Sequence, residues 1–281
     1  MEEMVRLYRT TDGFFGEERN RFWRVEAASW EDLLGDADLH NRVSAESQRA
    51  ELLESLDGMT LLSPVSTQEV WAAGVTYFRS RSARIEESKD AGGGTFYDRV
   101  YAADRPELFF KASGRRVVGP LGEVRIRRDA RWSVPEPELT LAIHSSGKIL
   151  GYTIGNDMSS RDIEGENPLY LPQAKVYDGS CAIGPCLLLE SGNLPKETAI
   201  GIKIERNGAH AYVGQTTLKE LKRPVAELVS YLFRENSFPE GVFLMTGTGI
   251  VPHDDFTLVA GDRIVITIDN IGTLENQVAS S

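Results

Sequence analysis

Glu136, Glu138 and Asp157 are the residues of this sequence best suited to chemistry, and the chemistry is that of an all-oxygen metal site. Glu136 and Glu138 stand two apart in Val134-Pro135-Glu136-Pro137-Glu138-Leu139, and Asp157 closes Gly155-Asn156-Asp157. Carboxylates gathered at one point repel unless a cation or protons neutralise them. Oxygen-only ligands suit Mg²⁺, Mn²⁺ or Ca²⁺ and argue against Zn²⁺ or copper. Spacing alone leaves a second reading open, a solvated acidic edge.

A hairpin is what must bring the three together. Leu139, Leu141 and Ile143 alternate with Glu138, Thr140 and Ala142, the period of a half-buried strand, so Glu136 and Glu138 share a face. Ser145-Ser146-Gly147 predicts a turn, and Lys148 to Ile154 predicts the returning strand. Folding about that turn sets Asp157 opposite position 135, to within one residue. Opposed antiparallel residues have Cβ atoms about 5 Å apart, which lets one ion reach all three acids. Pro135 and Pro137 cannot donate to a sheet ladder and place this stretch at a strand start or on an edge.

The chain of 281 residues is 41% hydrophobic, enough to bury one large core or two unequal ones. Its net charge of −11 disfavours nucleic acid and anionic membrane surfaces as partners. No apolar run reaches the roughly 20 residues that span a bilayer, and the first residues lack the pattern of a signal peptide, so a cytoplasmic protein is expected. Cys181 and Cys186 read as reduced core thiols. His40, His144, His210 and His253 are scattered, without ligand spacing.

Residues 1–65 read as a small N-terminal α+β unit, with a strand near Met4 to Tyr8, another near Phe22 to Val25, a helix capped by Ser29, and a second helix from Ala45 to Leu56. Leu61 to Val65 reads as a linker, and residues 66–281 as the main, β-rich domain. From Ser82 to Arg105 a helical excursion with a Gly92-Gly93-Gly94 hinge predicts either a lid or a flexible loop.

Several segments together resemble the fumarylacetoacetate hydrolase superfamily: Arg105 to Lys111, Pro135 to Leu139, Gly151 to Asp162, Lys175 to Gly179, Ile183-Gly184-Pro185 and Thr246-Gly247-Thr248. The resemblance implies an α+β, mainly β fold, a mixed β-sandwich or roll, in a protein that forms a homodimer or a dimer of dimers. It also implies one divalent ion, Mg²⁺ with Mn²⁺ or Ca²⁺ as substitutes, on Glu136, Glu138 and Asp157. Hydrolases of the superfamily carry a His, backed by a Glu, to activate water. Here those positions hold Ser80 and Ala83. Without an imidazole, hydrolysis of a carbon–carbon bond is not expected.

The chain instead resembles a branch of dehydratases acting on 2-keto-3-deoxy sugar acids, which likewise lack the His and share Glu166 to Lys175. That resemblance implies loss of water from a 2-keto-3-deoxypentonate to give 2,5-dioxopentanoate. A 2-oxo acid chelating the ion would have its C3 protons acidified as an enolate develops. Lys175 is the expected partner of the developing charge or of the substrate carboxylate, and a candidate proton carrier. Glu107 is the candidate for moving a proton between C3 and the leaving hydroxyl. Gly247 and Thr248 offer donors for an anion, and Ser80 and Arg81 are expected substrate contacts. Two competing readings are an acylpyruvate-type hydrolase or oxo-acid decarboxylase on the same scaffold, and a non-catalytic sugar-acid binder.

Overall fold

The computed structural model describes residues 4–78, 100–190 and 192–279. The N-terminal strands are β1 (Val5–Thr10), β2 (Gly13–Glu18), β3 (Arg21–Val25) and β4 (Leu52–Leu53). Then come β5 (Glu69–Gly74), β6 (Glu107–Ser113), β7 (Val117–Val118), β8 (Glu123–Val124) and β9 (Ser133–Val134). The central hairpin is β10 (Pro137–Ile143) and β11 (Ile149–Asp157), followed by β12 (Ser159–Ser160) and β13 (Cys181–Leu189). The last are β14 (Ala199–Arg206), β15 (Ala209–Thr217), β16 (Val242–Met245), β17 (Arg263–Ile268) and β18 (Gly272–Val278).

Eleven of these strands form one sheet, ordered β4-β3-β2-β1-β13-β11-β10-β16-β5-β6, with β7 beside β13. A second sheet reads β15-β14-β17-β18-β8. Alternation decides what each face of the larger sheet meets. Leu139, Leu141, Ile143 and Ile154 pack on Ile200, Ile202, Ile204, Ile264 and Ile266 of the second sheet, which makes the sandwich. The opposite face carries Ala142, Ile183, Leu187, Phe243 and Met245. It is covered in part by Trp30, Leu33, Leu39 and Val43 from α1 (Trp30–Leu34) and α2 (Leu39–Ser47). This is the α+β, mainly β fold that the sequence predicts.

The capping prediction for α1 holds: Ser29 Oγ accepts from Asp32 N at 3.1 Å. The second helix does not run from Ala45 to Leu56 but over Leu39–Ser47, burying Leu39 and Val43 one turn apart. Leu52 and Leu53 leave the helix because they pair with Trp23 and Phe22. The N-terminal strands extend the larger sheet through β1, whose Val5 faces Leu189 of β13, and Leu62 N donates to Arg9 O at 2.8 Å in the predicted linker.

Gly147 turns the β10–β11 hairpin with φ +84°, and His144 N donates to Lys148 O at 2.8 Å. β10 begins at Pro137 and lies between β11 and β16, so its prolines mark a strand start inside the sheet, not an edge. Cys181 and Cys186 are buried on opposite faces of β13, in separate cores, and burial pushes both thiols up to about 12. Among the described residues no helix is long and apolar enough to cross a membrane.

Candidate active site

The hairpin register delivers the three acids to one point. Pro137 pairs with Asn156 and Glu138 with Gly155. One step further, Glu136 and Asp157 exchange backbone hydrogen bonds of 3.2 and 2.9 Å. Glu136, Glu138 and Asp157 therefore lie on one face, and each has a carboxylate oxygen within 4.8 Å of the others. All three are buried, at 4%, 1% and 1% exposure. That excludes the solvated acidic edge, because buried carboxylates must be paired or neutralised.

Three buried cations surround them. Arg161 opens α3 (Arg161–Glu166) and sets its guanidinium 2.7 Å from Glu136 Oε1, with Glu164 behind it at 3.8 Å. Lys175 ends α4 (Leu171–Lys175), and its Nζ donates to Glu136 Oε2 at 2.8 Å, Asp157 Oδ2 at 3.0 Å and Ser159 Oγ at 2.6 Å. Lys111 Nζ lies 2.5 Å from Asp157 Oδ1 and also donates to Met158 O and Lys175 O, at 3.1 and 2.5 Å. The β5–β6 pairing explains its direction: Val70 faces Ala112 but Trp71 faces Phe110, so Lys111 is the extra residue of a bulge that aims its side chain inward.

Glu138 is held differently. Gly247 N donates to its Oε2 at 2.6 Å, from a residue with φ +89°. A Cβ there would lie 2.1 Å from Thr76 Oγ1, so both the turn and the close approach require glycine. The Gly247 N–H, expected from sequence to serve an anionic ligand, is thus directed at a carboxylate of the trio. Thr248 lines the cavity above the acids, with Gly74, Val75 and Phe109.

Glu107 starts β6 opposite Gly74, and a Cβ on Gly74 would fall 2.1 Å from Glu107 Oε2. The glycine lets this carboxylate lie against a strand that lines the cavity. Ser80, Arg81 and the predicted excursion up to residue 99 lie outside the described residues. Neither residue type nor spacing distinguishes Lys111 or Arg161 in the sequence.

The donor set fits a hard divalent cation: three carboxylates, no nitrogen or sulfur, aimed at one point. Burial first, then the charges of Asp157 and Glu136, hold the Glu138 carboxyl well above the usual 4.5. The folded protein therefore keeps a proton there that the unfolded chain gives up. That contribution to stability is full below about 4.5 and is lost as pH rises through the folded value. An ion bound at Glu138 takes the proton's place. Mg²⁺ uptake is thus expected to release protons at pH below the folded value of Glu138, read as a binding heat that depends on the ionisation enthalpy of the buffer. Equal heats in all buffers would show that Glu138 gives up no proton to the ion.

The chain matches the family model for the C-terminal region of fumarylacetoacetate (FAA) hydrolase over residues 69–279. It is 47% identical over 247 residues to a Haloferax volcanii protein named "Probable 2-keto-3-deoxyxylonate dehydratase", spanning 85% of this chain and 84% of that one. It is 43% identical over 221 residues to 2-dehydro-3-deoxy-D-arabinonate dehydratase of Saccharolobus solfataricus, spanning 78% and 74%. A solved structure of 2-keto-3-deoxy-D-arabinonate dehydratase complexed with magnesium and 2,5-dioxopentanoate superposes with a TM-score of 0.79 at 33% identity, over 99% of both chains.

Proposed function

The chain belongs to the fumarylacetoacetate hydrolase family, and from that premise we propose that it is a metal-dependent hydro-lyase converting a 2-keto-3-deoxypentonate to 2,5-dioxopentanoate and water, with magnesium as its ion. The observation that carries this reading is the buried carboxylate trio with Lys175 seated on it, in a chain 47% and 43% identical to two proteins named as dehydratases. The water-activating His and Glu of the hydrolases are replaced by Ser80 and Ala83, which supports elimination over hydrolysis.

Glu136, Glu138 and Asp157 are the proposed ligands. The ion, when bound, would withdraw electron density from the 2-oxo group and acidify the C3 protons. Lys175 carries three donors at the floor of the cavity and is the proposed partner of the substrate carboxylate or of the charge developing on its 2-oxo oxygen. Glu107, at the wall beside Gly74, is proposed to take the C3 proton and give it to the departing C4 hydroxyl, leaving a 5-hydroxy-2-oxo-3-enoate that tautomerises through its dienol to 2,5-dioxopentanoate. Thr248 is the proposed contact for substrate oxygens, with Gly247 setting the turn that presents it. Ser80 and Arg81 are further proposed substrate contacts.

Glu107→Gln keeps shape and removes the base. It is expected to lower kcat by about 10²–10⁴-fold while leaving Mg²⁺ content and KM near the parent values. A parental kcat would take Glu107 out of the proton transfer.

The reading extends to a homodimer or dimer of dimers in the cytoplasm, without nucleic-acid or membrane partners. The charge of −11 supports the absence of polyanionic partners. The division into units 1–65 and 66–281 belongs to the same proposal, supported by a family match that begins at residue 69. Incubation with 2-keto-3-deoxypentonate and Mg²⁺ is expected to yield 2,5-dioxopentanoate, and none when chelator is present. Substrate recovered unchanged, with metal bound, would favour a binding protein.

A further inference from the structure

Each of two carboxylates in the trio has one oxygen tied back and one turned inward. Arg161 holds Glu136 Oε1 at 2.7 Å, and Lys111 holds Asp157 Oδ1 at 2.5 Å. Both cations are fully buried and anchored elsewhere, Arg161 on Glu164 and Lys111 on two backbone carbonyls. The other two oxygens, Glu136 Oε2 and Asp157 Oδ2, both receive Lys175 Nζ, at 2.8 and 3.0 Å. A divalent ion on this trio must bond carboxylate oxygens directly, at about 2.0–2.6 Å. It therefore addresses the same two oxygens as the Lys175 ammonium, and two cations bridging one pair of oxygens repel strongly.

We infer that Lys175 is the internal counter-cation of the metal site: its ammonium holds Glu136 and Asp157 in place before metal binds, and the ion displaces it into the cavity, where it meets the anionic substrate. This rests on the metal-dependent reading above and adds what that reading lacks, a competition between a residue and the ion.

Charge supports it. Once metal binding has taken the proton from Glu138, the buried acids Glu136, Glu138, Asp157 and Glu164 outnumber the buried cations Lys111, Arg161 and Lys175 by one. A divalent ion turns that excess into one positive charge, and a substrate with one carboxylate restores neutrality. Arg161 and Lys175 both line the cavity, but Arg161 is also tied back to Glu164, whereas the Lys175 ammonium donates to Glu136, Asp157 and Ser159. Lys175 Nζ lies 5.8 Å from the centroid of the Phe109 ring, which lines the cavity, and its flexible four-carbon stem can turn there.

The test is a calorimetric titration of the metal-free protein with Mg²⁺, comparing the parent with Lys175→Met and Lys175→Arg. Lys175→Met keeps most of the volume and removes the charge, and is expected to bind Mg²⁺ about tenfold more tightly than the parent. Lys175→Arg keeps a cation and is expected to show no gain. Equal or weaker binding by Lys175→Met overturns the inference. Should that variant unfold without metal, saturating Mg²⁺ is expected to refold it, since the ion takes the place of the ammonium; failure to fold in Mg²⁺ also overturns the inference. A folded parent that binds no Mg²⁺ would instead sink the metal-dependent reading itself.

Discussion

Asp157→Asn is expected to strip the site of metal and to lower turnover by about a thousandfold or more, the scale of several kcal/mol of electrostatic stabilisation. Asparagine keeps the shape of the side chain and its place in the β10–β11 register, where Asp157 lies opposite Glu136. What it removes is the charge that Lys111 and Lys175 both face, at 2.5 and 3.0 Å. Its amide N–H₂ would also point at one of those ammonium groups, donor against donor. Breaking a buried pair on one side costs about 3–5 kcal/mol, so a lower melting temperature should accompany the loss. Metal analysis after dialysis, turnover and circular dichroism separate the effects. A folded variant with full metal content and parental turnover would remove Asp157 from the ligand set.

Lys175→Met is the complementary case, expected to keep metal and lose turnover by about a thousandfold. Its ammonium makes three hydrogen bonds inside the site, and the other cation that lines the cavity, Arg161, is tied to both Glu136 and Glu164. Loss with metal retained would separate Lys175 from the ligands, whose variants lose both. If kcat fell little while KM rose, Lys175 would serve substrate binding and not the chemical step.

Much of this site is legible in the sequence because it is local. The alternation from Glu138 to Ile143, the turn at Gly147 and the strand to Asp157 set a register from about twenty residues, correct to within the one-residue margin. What was not legible depends on distant pairing. Lys111 stands in an apolar strand and is aimed inward by a bulge that exists only because β6 pairs with β5. Arg161 is one of 31 Lys and Arg residues, and nothing in its spacing distinguishes it. A signal for both was nevertheless present. Three crowded acids demand counter-charges, and the segments that resemble the hydrolase superfamily contain Lys111 and Arg161 as well as Lys175.

Distant pairing also displaces the second helix. Helical spacing around Leu52, Leu53 and Leu56 is real, but two of those leucines are worth more as an edge strand beside Phe22 and Trp23. Leu39 and Val43 then supply the buried helical face instead. The placement of Glu107 beside Gly74 also needs the β5–β6 pairing, which joins residues more than thirty positions apart.

The decisive measurement is turnover of 2-keto-3-deoxypentonate as a function of Mg²⁺ bound per chain, starting from metal-free protein. Formation of 2,5-dioxopentanoate should rise in proportion to bound ion, level off at a single ion per chain, and stay at zero when Glu136, Glu138 or Asp157 is replaced by its amide. Full turnover by metal-free protein, or by any of those variants without bound ion, would contradict a carboxylate-held cation as the source of the chemistry.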